Sequence, residues 1–202
     1  ILYVLDPNII AHSQLVTTDV YIMGMMLASC YWLWRFADSH RIRHLLIFAL
    51  MIALAQLTKY TAVSMYPLLL GLLFLHELLR WRSQVRKGCG ETIRRVGGRY
   101  IAYLMIVAAV SLMVINAGFL FNRSGTPFND YSFRSELFKS IKLDVCVPTP
   151  YPFLEGLDWI ISQQGTGQDY GKIYMLGESR KGGFEGYYFV ATLLKMPIAT
   201  QL

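Results

Sequence analysis

Four stretches of this chain carry no charged side chain: residues 20–34, 45–58, 60–75 and 100–121. Apolar runs of that length must be covered by other protein or by lipid, and this narrows the fold before anything else does. A helix that spans a bilayer needs about 20 mostly apolar residues, with a range of roughly 17 to 25. The last run meets that length unaided. The other three reach it once their polar ends are included, with Arg35, Lys59 and Arg80 extending charged heads to the interface along apolar stems. Core helices of a soluble protein would need amphipathic pattern between the runs, and there is almost none. Charged residues make up 16% of the chain and hydrophobic ones 54%, against roughly 25% charged in ordinary soluble domains. The expectation is an all-α, polytopic integral-membrane helical bundle. Residues 1–121 would hold about four spans, with a basic loop at 80–99. Residues 122–185 would form an extracytoplasmic loop, and 186–202 an interfacial helix leading into the next span. The first residue is Ile, there is no basic n-region with a cleavage site, and the chain stops within an apolar run, so it reads as an internal piece of a longer protein.

Charge placement gives the expected orientation. The first connector holds Arg35, Arg41 and Arg43; the second holds Arg80, Arg82, Arg86, Lys87, Arg94, Arg95 and Arg99. Against them stand only Asp38, Glu77 and Glu91. Cationic loops stay on the cytoplasmic side, so Lys59 and the segment from Asn122 to about Glu185 belong on the opposite face. That segment carries seven basic and eight acidic side chains, with no cationic excess. The basic loop lacks the interleaved aromatics of a nucleic-acid surface, and topology already accounts for it, so no nucleic-acid partner is expected.

On this topology Asp19, at the start of the first apolar run, and Lys59, between the second and third, share one rim of the bundle. The stretch over 11–19, Ala-His-Ser-Gln-Leu-Val-Thr-Thr-Asp, places polar groups on that rim. Thr17 and Thr18 have a plain alternative role as helix caps, and a carboxylate is favoured at a helix start in any case. The outer segment is rich in Gly, Pro, Asn and Asp, which marks loops, with a short helix expected over 153–164. Beyond it, Tyr187, Tyr188 and Phe189 with Lys195 read as a helix lying in the interface, or simply as an aromatic belt. A transporter would show ionisable groups or paired Gly/Pro breaks near the bilayer midplane. None is apparent, so a transporter or a non-catalytic scaffold is the alternative reading. Cys30, Cys89 and Cys146 fall in a span, a cytoplasmic loop and the outer segment, and no disulfide is expected among them. Asn122-Arg123-Ser124 is a glycosylation sequon on the outer side, but a bacterial inner membrane, where it would go unmodified, is the favoured location.

The pieces AHSQLVTTD, ALAQLTKYTAV, PTPYPFLEGLD and YMLGESRKGGFEGYYFVATLLKMP occur in this order over nearly the whole chain. The ordered set resembles glycosyltransferase family 39, the relatives of protein O-mannosyltransferases and aminoarabinose transferases. That resemblance implies a GT-C membrane bundle. It also implies an inverting transfer of a sugar from a polyprenyl-phosphate carrier to a protein or lipid acceptor at the outer face of the lipid bilayer. Such a transfer needs a base for the acceptor hydroxyl and a cation for the departing phosphate. The resemblance places the principal base upstream of Ile1 and gives Asp19 a secondary acidic position. Lys59 fits the phosphate, with snorkelling alone as the bland alternative. His12, two helical turns before Asp19, Lys195, and Glu178 with Arg180 and Lys181 in an expected flexible turn are further candidate substrate contacts; solvated charge is the ordinary reading of the last three. A divalent metal ion is the one cofactor left open, because His12 and Asp19 alone fall short of the three or four ligands a site usually needs.

Overall fold

The computed structural model describes residues 18–86, 93–141, 144–166, 172–181 and 184–195. Four helices make the bundle: α1 (Thr18–Ser39), α2 (Ile42–Thr58), α3 (Met65–Arg86) and α4 (Ile93–Gly118). A 3₁₀ turn, Tyr60–Ser64, joins α2 to α3. Pro67 sits in the first turn of α3, where a missing N–H costs no helical hydrogen bond. At the other end α1 stops at His40, which takes the left-handed conformation at φ 51° and donates its N–H to the Phe36 carbonyl at 2.7 Å. Histidine is among the few non-glycine residues that enter this region readily.

The four helices share one apolar core. Leu33 and Phe36 of α1, Phe48 and Ile52 of α2, Leu69 and Leu73 of α3 and Val107 of α4 all belong to it. Helix α2 lies at the centre, with His44, Leu45, Phe48, Ala49, Ile52, Ala53, Ala55 and Gln56 buried. Between α3 and α4, the Tyr66 hydroxyl donates to Ser111 Oγ at 2.7 Å, and Tyr100 donates to the Leu70 carbonyl at 2.9 Å. In lipid such packing and cross-helix hydrogen bonds hold a bundle, because acyl chains are as apolar as leucine.

Two helical stretches are long and apolar enough to cross a membrane, Tyr60–Arg86 and Ile93–Gly118. Only 28% and 22% of their most apolar windows are buried, so most of that apolar surface is left for something other than this chain to cover. Helix α2 is apolar but has 17 residues, about 25 Å at 1.5 Å per residue, against a hydrocarbon core of about 30 Å. Helix α1 has 22 residues, but its tyrosines, tryptophans, Ser29 and Gly24 dilute its apolar character. The described residues thus form a mostly α-helical bundle with two candidate spans, where the runs led to an expectation of four, and those two support an integral-membrane association.

Residues 119–141 and 144–166 form a cap on the end of α4. Its segments 125–128 and 145–147 pair through Gly125 N–H to Val147 O at 2.9 Å, Phe128 N–H to Val145 O at 3.0 Å and Val147 N–H to Thr126 O at 3.0 Å. Two further helices follow, α5 (Glu136–Ser140) and α6 (Tyr151–Thr166), the latter longer at both ends than the 153–164 expected. Phe128, Tyr131 and Leu154 form the small core of the cap. Beyond it, strands β1 (Lys172–Met175) and β2 (Glu178–Lys181) pair antiparallel, with Lys172 opposite Lys181 and Met175 opposite Glu178. Leu176 and Gly177 both have positive φ, the backbone of a two-residue hairpin turn. The flexible turn expected around Glu178 and Arg180 is thus a strand. Helix α7 (Tyr187–Lys195) closes the described chain, with Tyr188, Phe189, Leu193 and Leu194 all strongly exposed. The next span expected after it lies outside the described residues.

Candidate functional site

Asp19 and Lys59 meet. Lys59 Nζ donates to Asp19 Oδ1 at 2.7 Å, joining the first turn of α1 to the residue just past the end of α2, forty positions away in sequence. Each backbone explains its side chain's position. Lys59 is extended, with φ −159° and ψ 130°, because α2 ends there; its N–H still reaches the Ala55 carbonyl at 3.0 Å, and its carbonyl accepts from Ala62 N–H at 3.1 Å. Held at both ends, the residue projects its ammonium across the rim. Asp19 lies in the first turn of α1, where the helix dipole favours negative charge. The two side chains are 56% and 43% exposed respectively, so the pair contributes under about 1 kcal/mol to stability. Its chemical content is a carboxylate and an ammonium in contact, open to solvent, at the edge of an apolar bundle.

The cap sits against this end of the bundle. Tyr60, next to Lys59, packs on Phe153 of α6 with ring centroids 5.4 Å apart, and Phe153 also meets Phe119 at 6.0 Å. Gly156 allows the approach: a Cβ there would lie 2.6 Å from Tyr60 Cζ. Asn116 donates to the Pro148 carbonyl at 2.9 Å and accepts from Ser124 Oγ, tying the cap to α4. Within the cap, Asp158 is 2% exposed and accepts from Arg134 N–H at 2.6 Å, Ser135 N–H at 3.0 Å and Ser135 Oγ at 2.5 Å. Arg123 lies over the Tyr151 ring, 4.1 Å from its centroid, and Tyr151 stacks on Tyr131 at 4.5 Å. Burial pushes the Tyr131 hydroxyl pKa up, Tyr151 adds to the rise, and Arg123 opposes it.

The other candidates are not part of this contact. Glu178 pairs with Arg180 at 2.8 Å along β2, both exposed. His12 lies outside the described residues, as does the side chain of Lys195, which ends α7. No group of three or more His, Cys, Asp or Glu suited to a metal ion occurs among the described residues. Cys30 and Cys146 are free and exposed.

At the opposite end of the bundle lies a second group, built on Glu77, which in the sequence alone is only a counter-charge to the second basic connector. Glu77, 3% exposed, places Oε1 3.5 Å from His40 Nδ1 and 4.0 Å from His76 Nδ1, while Arg80 Nη1 donates to His40 Nε2. An acid within an apolar helix, one residue after a histidine, was the available signal. Burial lowers the His40 pKa, and Arg80 lowers it further, against the raising effect of Glu77. These contacts put the first basic connector and the end of α3, which opens the second, at the same end of the bundle, away from Asp19 and Lys59.

A family model described as dolichyl-phosphate-mannose-protein mannosyltransferase matches residues 1–90. The match takes in α1 to α3, and with them Asp19 and Lys59; the cap, the hairpin and α7 lie beyond it. No curated protein and no solved structure matches the chain. The family match and the candidate spans are together consistent with a GT-C-type membrane glycosyltransferase.

Proposed function

We propose that this chain is part of an integral-membrane, inverting glycosyltransferase that moves a sugar from a polyprenyl-phosphate carrier to a protein or lipid acceptor at the Asp19–Lys59 rim. The observation that carries the proposal is the 2.7 Å contact between Asp19 and Lys59, within the stretch that the family model matches. In the proposed reaction the acceptor oxygen attacks the anomeric carbon, its proton goes to a base, and the bond to the carrier phosphate oxygen breaks with its electrons leaving on the phosphate. A preformed ammonium such as Lys59 stabilises charge developing on that leaving group at no reorganisation cost. Asp19 holds Lys59 in place in the resting state and accepts a hydrogen bond from the acceptor hydroxyl once the phosphate has engaged the lysine. The principal base is expected upstream of Ile1, on the resemblance. His12, Glu178 and Lys195 are proposed as outer contacts to carrier or acceptor, and the rim as the extracytoplasmic side of a bacterial inner membrane.

The test is transfer from the lipid-linked sugar by the full-length protein carrying Asp19→Asn or Lys59→Ala. Because the exposed pair adds under about 1 kcal/mol, both variants should fold, and turnover should fall about 10²-fold or more, as when a stabilising donor is removed from a developing anion. Unchanged turnover in both would discard the assignment. Thiol labelling that found position 59 and the 81–98 stretch in one compartment would overturn the orientation.

A further inference from the structure

Helices α1 and α3 leave a groove between them of about 220 Å³. Cys30, Trp34 and Ala37 wall it on one side and Leu69 and Leu72 on the other, with His76 at the basic end. The walls are almost wholly apolar up to that histidine. The lining runs over residues 30–37 and 69–76, about 10 Å at 1.5 Å per residue, so 220 Å³ gives a mean cross-section of about 20 Å², far below the roughly 80 Å² of a helix about 10 Å wide. A slot that narrow suits one extended chain and not a helix.

The polar end differs from the walls. His76 has a side chain that is 43% exposed, although its Nδ1 is buried, 4.0 Å from Glu77 Oε1 and without a hydrogen bond, and its ring lies 6.2 Å from that of His40. His40 is in turn joined to Arg80, whose guanidinium has five N–H donors and gives one to the histidine. The buried Glu77 carboxylate faces both histidines and offsets one positive charge. Around it the described residues of this end supply Arg35, Arg41, Arg43, Arg80, Arg82, Arg86, Arg94, Arg95 and Arg99 against Asp38 and Glu77. An apolar slot running into an arginine-rich rim has the chemistry of one ligand class, a chain carrying an anionic headgroup.

We propose that the α1–α3 groove binds an anionic glycerophospholipid of the leaflet on the basic side, one acyl chain lying along Trp34 and Leu72 and the phosphate against His76 and Arg80. The site is at the end of the bundle remote from Asp19 and Lys59, so it stands independently of the proposed transfer. A zwitterionic lipid presents the same chain, but its own cation faces the arginines and is disfavoured.

Native mass spectrometry of the full-length protein in a neutral detergent tests this, with dioleoyl phosphatidylglycerol and dioleoyl phosphatidylcholine added separately. The anionic lipid should be retained about tenfold better, and it alone should slow alkylation of Cys30. Leu72→Trp, which fills the groove and keeps every charge, should abolish the difference. Leu68→Trp, on the same helix but off the groove, should not. Arg80→Gln should weaken retention of phosphatidylglycerol towards that of phosphatidylcholine. Equal retention of the two lipids, or an unaltered preference in Leu72→Trp, would overturn the proposal. So would a Cys30 already blocked without added lipid, which would mean that another part of the chain covers the groove. Displacement by undecaprenyl phosphate would overturn it too, making the groove a carrier subsite.

Discussion

Replacing Asp158 by Ala should loosen the cap without touching the rim. The carboxylate is buried and accepts three hydrogen bonds, two of them from consecutive backbone N–H groups, Arg134 and Ser135. Ser135 also caps α5, accepting from Phe138 N–H at 3.4 Å. Alanine would orphan three donors in a place where water has little access. Each buried donor left unsatisfied costs about 1–3 kcal/mol; the Ser135 hydroxyl can rotate towards another acceptor, so two such losses are the realistic minimum. The expected destabilisation of the cap is therefore about 2–6 kcal/mol. Asp158→Asn keeps one carbonyl oxygen and turns an amide donor onto a donor, so it should cost about 1–3 kcal/mol. Hydrogen exchange at the Arg134 and Ser135 amides in the full-length protein reads this directly. At 1.4 kcal/mol per factor of ten, exchange limited by cap opening should accelerate at least about 25-fold in the alanine variant and about 5-fold or more in the asparagine variant, while α2 amides stay protected. If exchange in the alanine variant matched that of the parent, Asp158 would not be what holds the 131–140 loop to α6.

Two further outcomes follow from other contacts. Gly156→Ala should push α6 off Tyr60, because the added Cβ meets the Tyr60 ring and hydroxyl; the cost should be about 1–3 kcal/mol, recovered by pairing it with Tyr60→Ala, and a thermal melt of the two single variants and the double variant measures it. The folded-state pKa of His40 is below 6.5 because burial and Arg80 disfavour its charged form, with Glu77 opposing and His76 and Arg99 adding to the lowering. Between that folded value and 6.5 the unfolded chain binds more protons, so stability rises with pH across the window. The contribution is present above pH 6.5 and lost as pH falls through the folded value. Melting temperatures from pH 8 to 5 should show this decline in the parent and a shallower one in His40→Asn, a substitution that tolerates the left-handed backbone; identical slopes would refute it.

The sequence by itself determined the long helices of the bundle, the concentration of positive charge in two connectors and the expectation that Asp19 and Lys59 share one rim. Apolar runs and charge placement are local properties, read one residue at a time, and they survive folding because a bilayer sorts them by the same transfer energies that define them. The number of spans was less legible: α2 proves to be both the shortest of the four helices and the most enclosed by protein, and length alone cannot tell a lipid-facing run from one surrounded by other helices. Only the tertiary structure decided that Asp158 anchors the cap, that Glu77 faces two histidines, and that Glu178 lies on a strand. For Glu178 the strand follows from the two-residue turn at Leu176 and Gly177; for Asp158 and Glu77 the partners are backbone amides and side chains brought close by packing, which the spacing along the chain does not encode. Asp19 and Lys59 became a contact for the same reason. Their helices share a core, and the end of α2 leaves the lysine extended at the height of the aspartate.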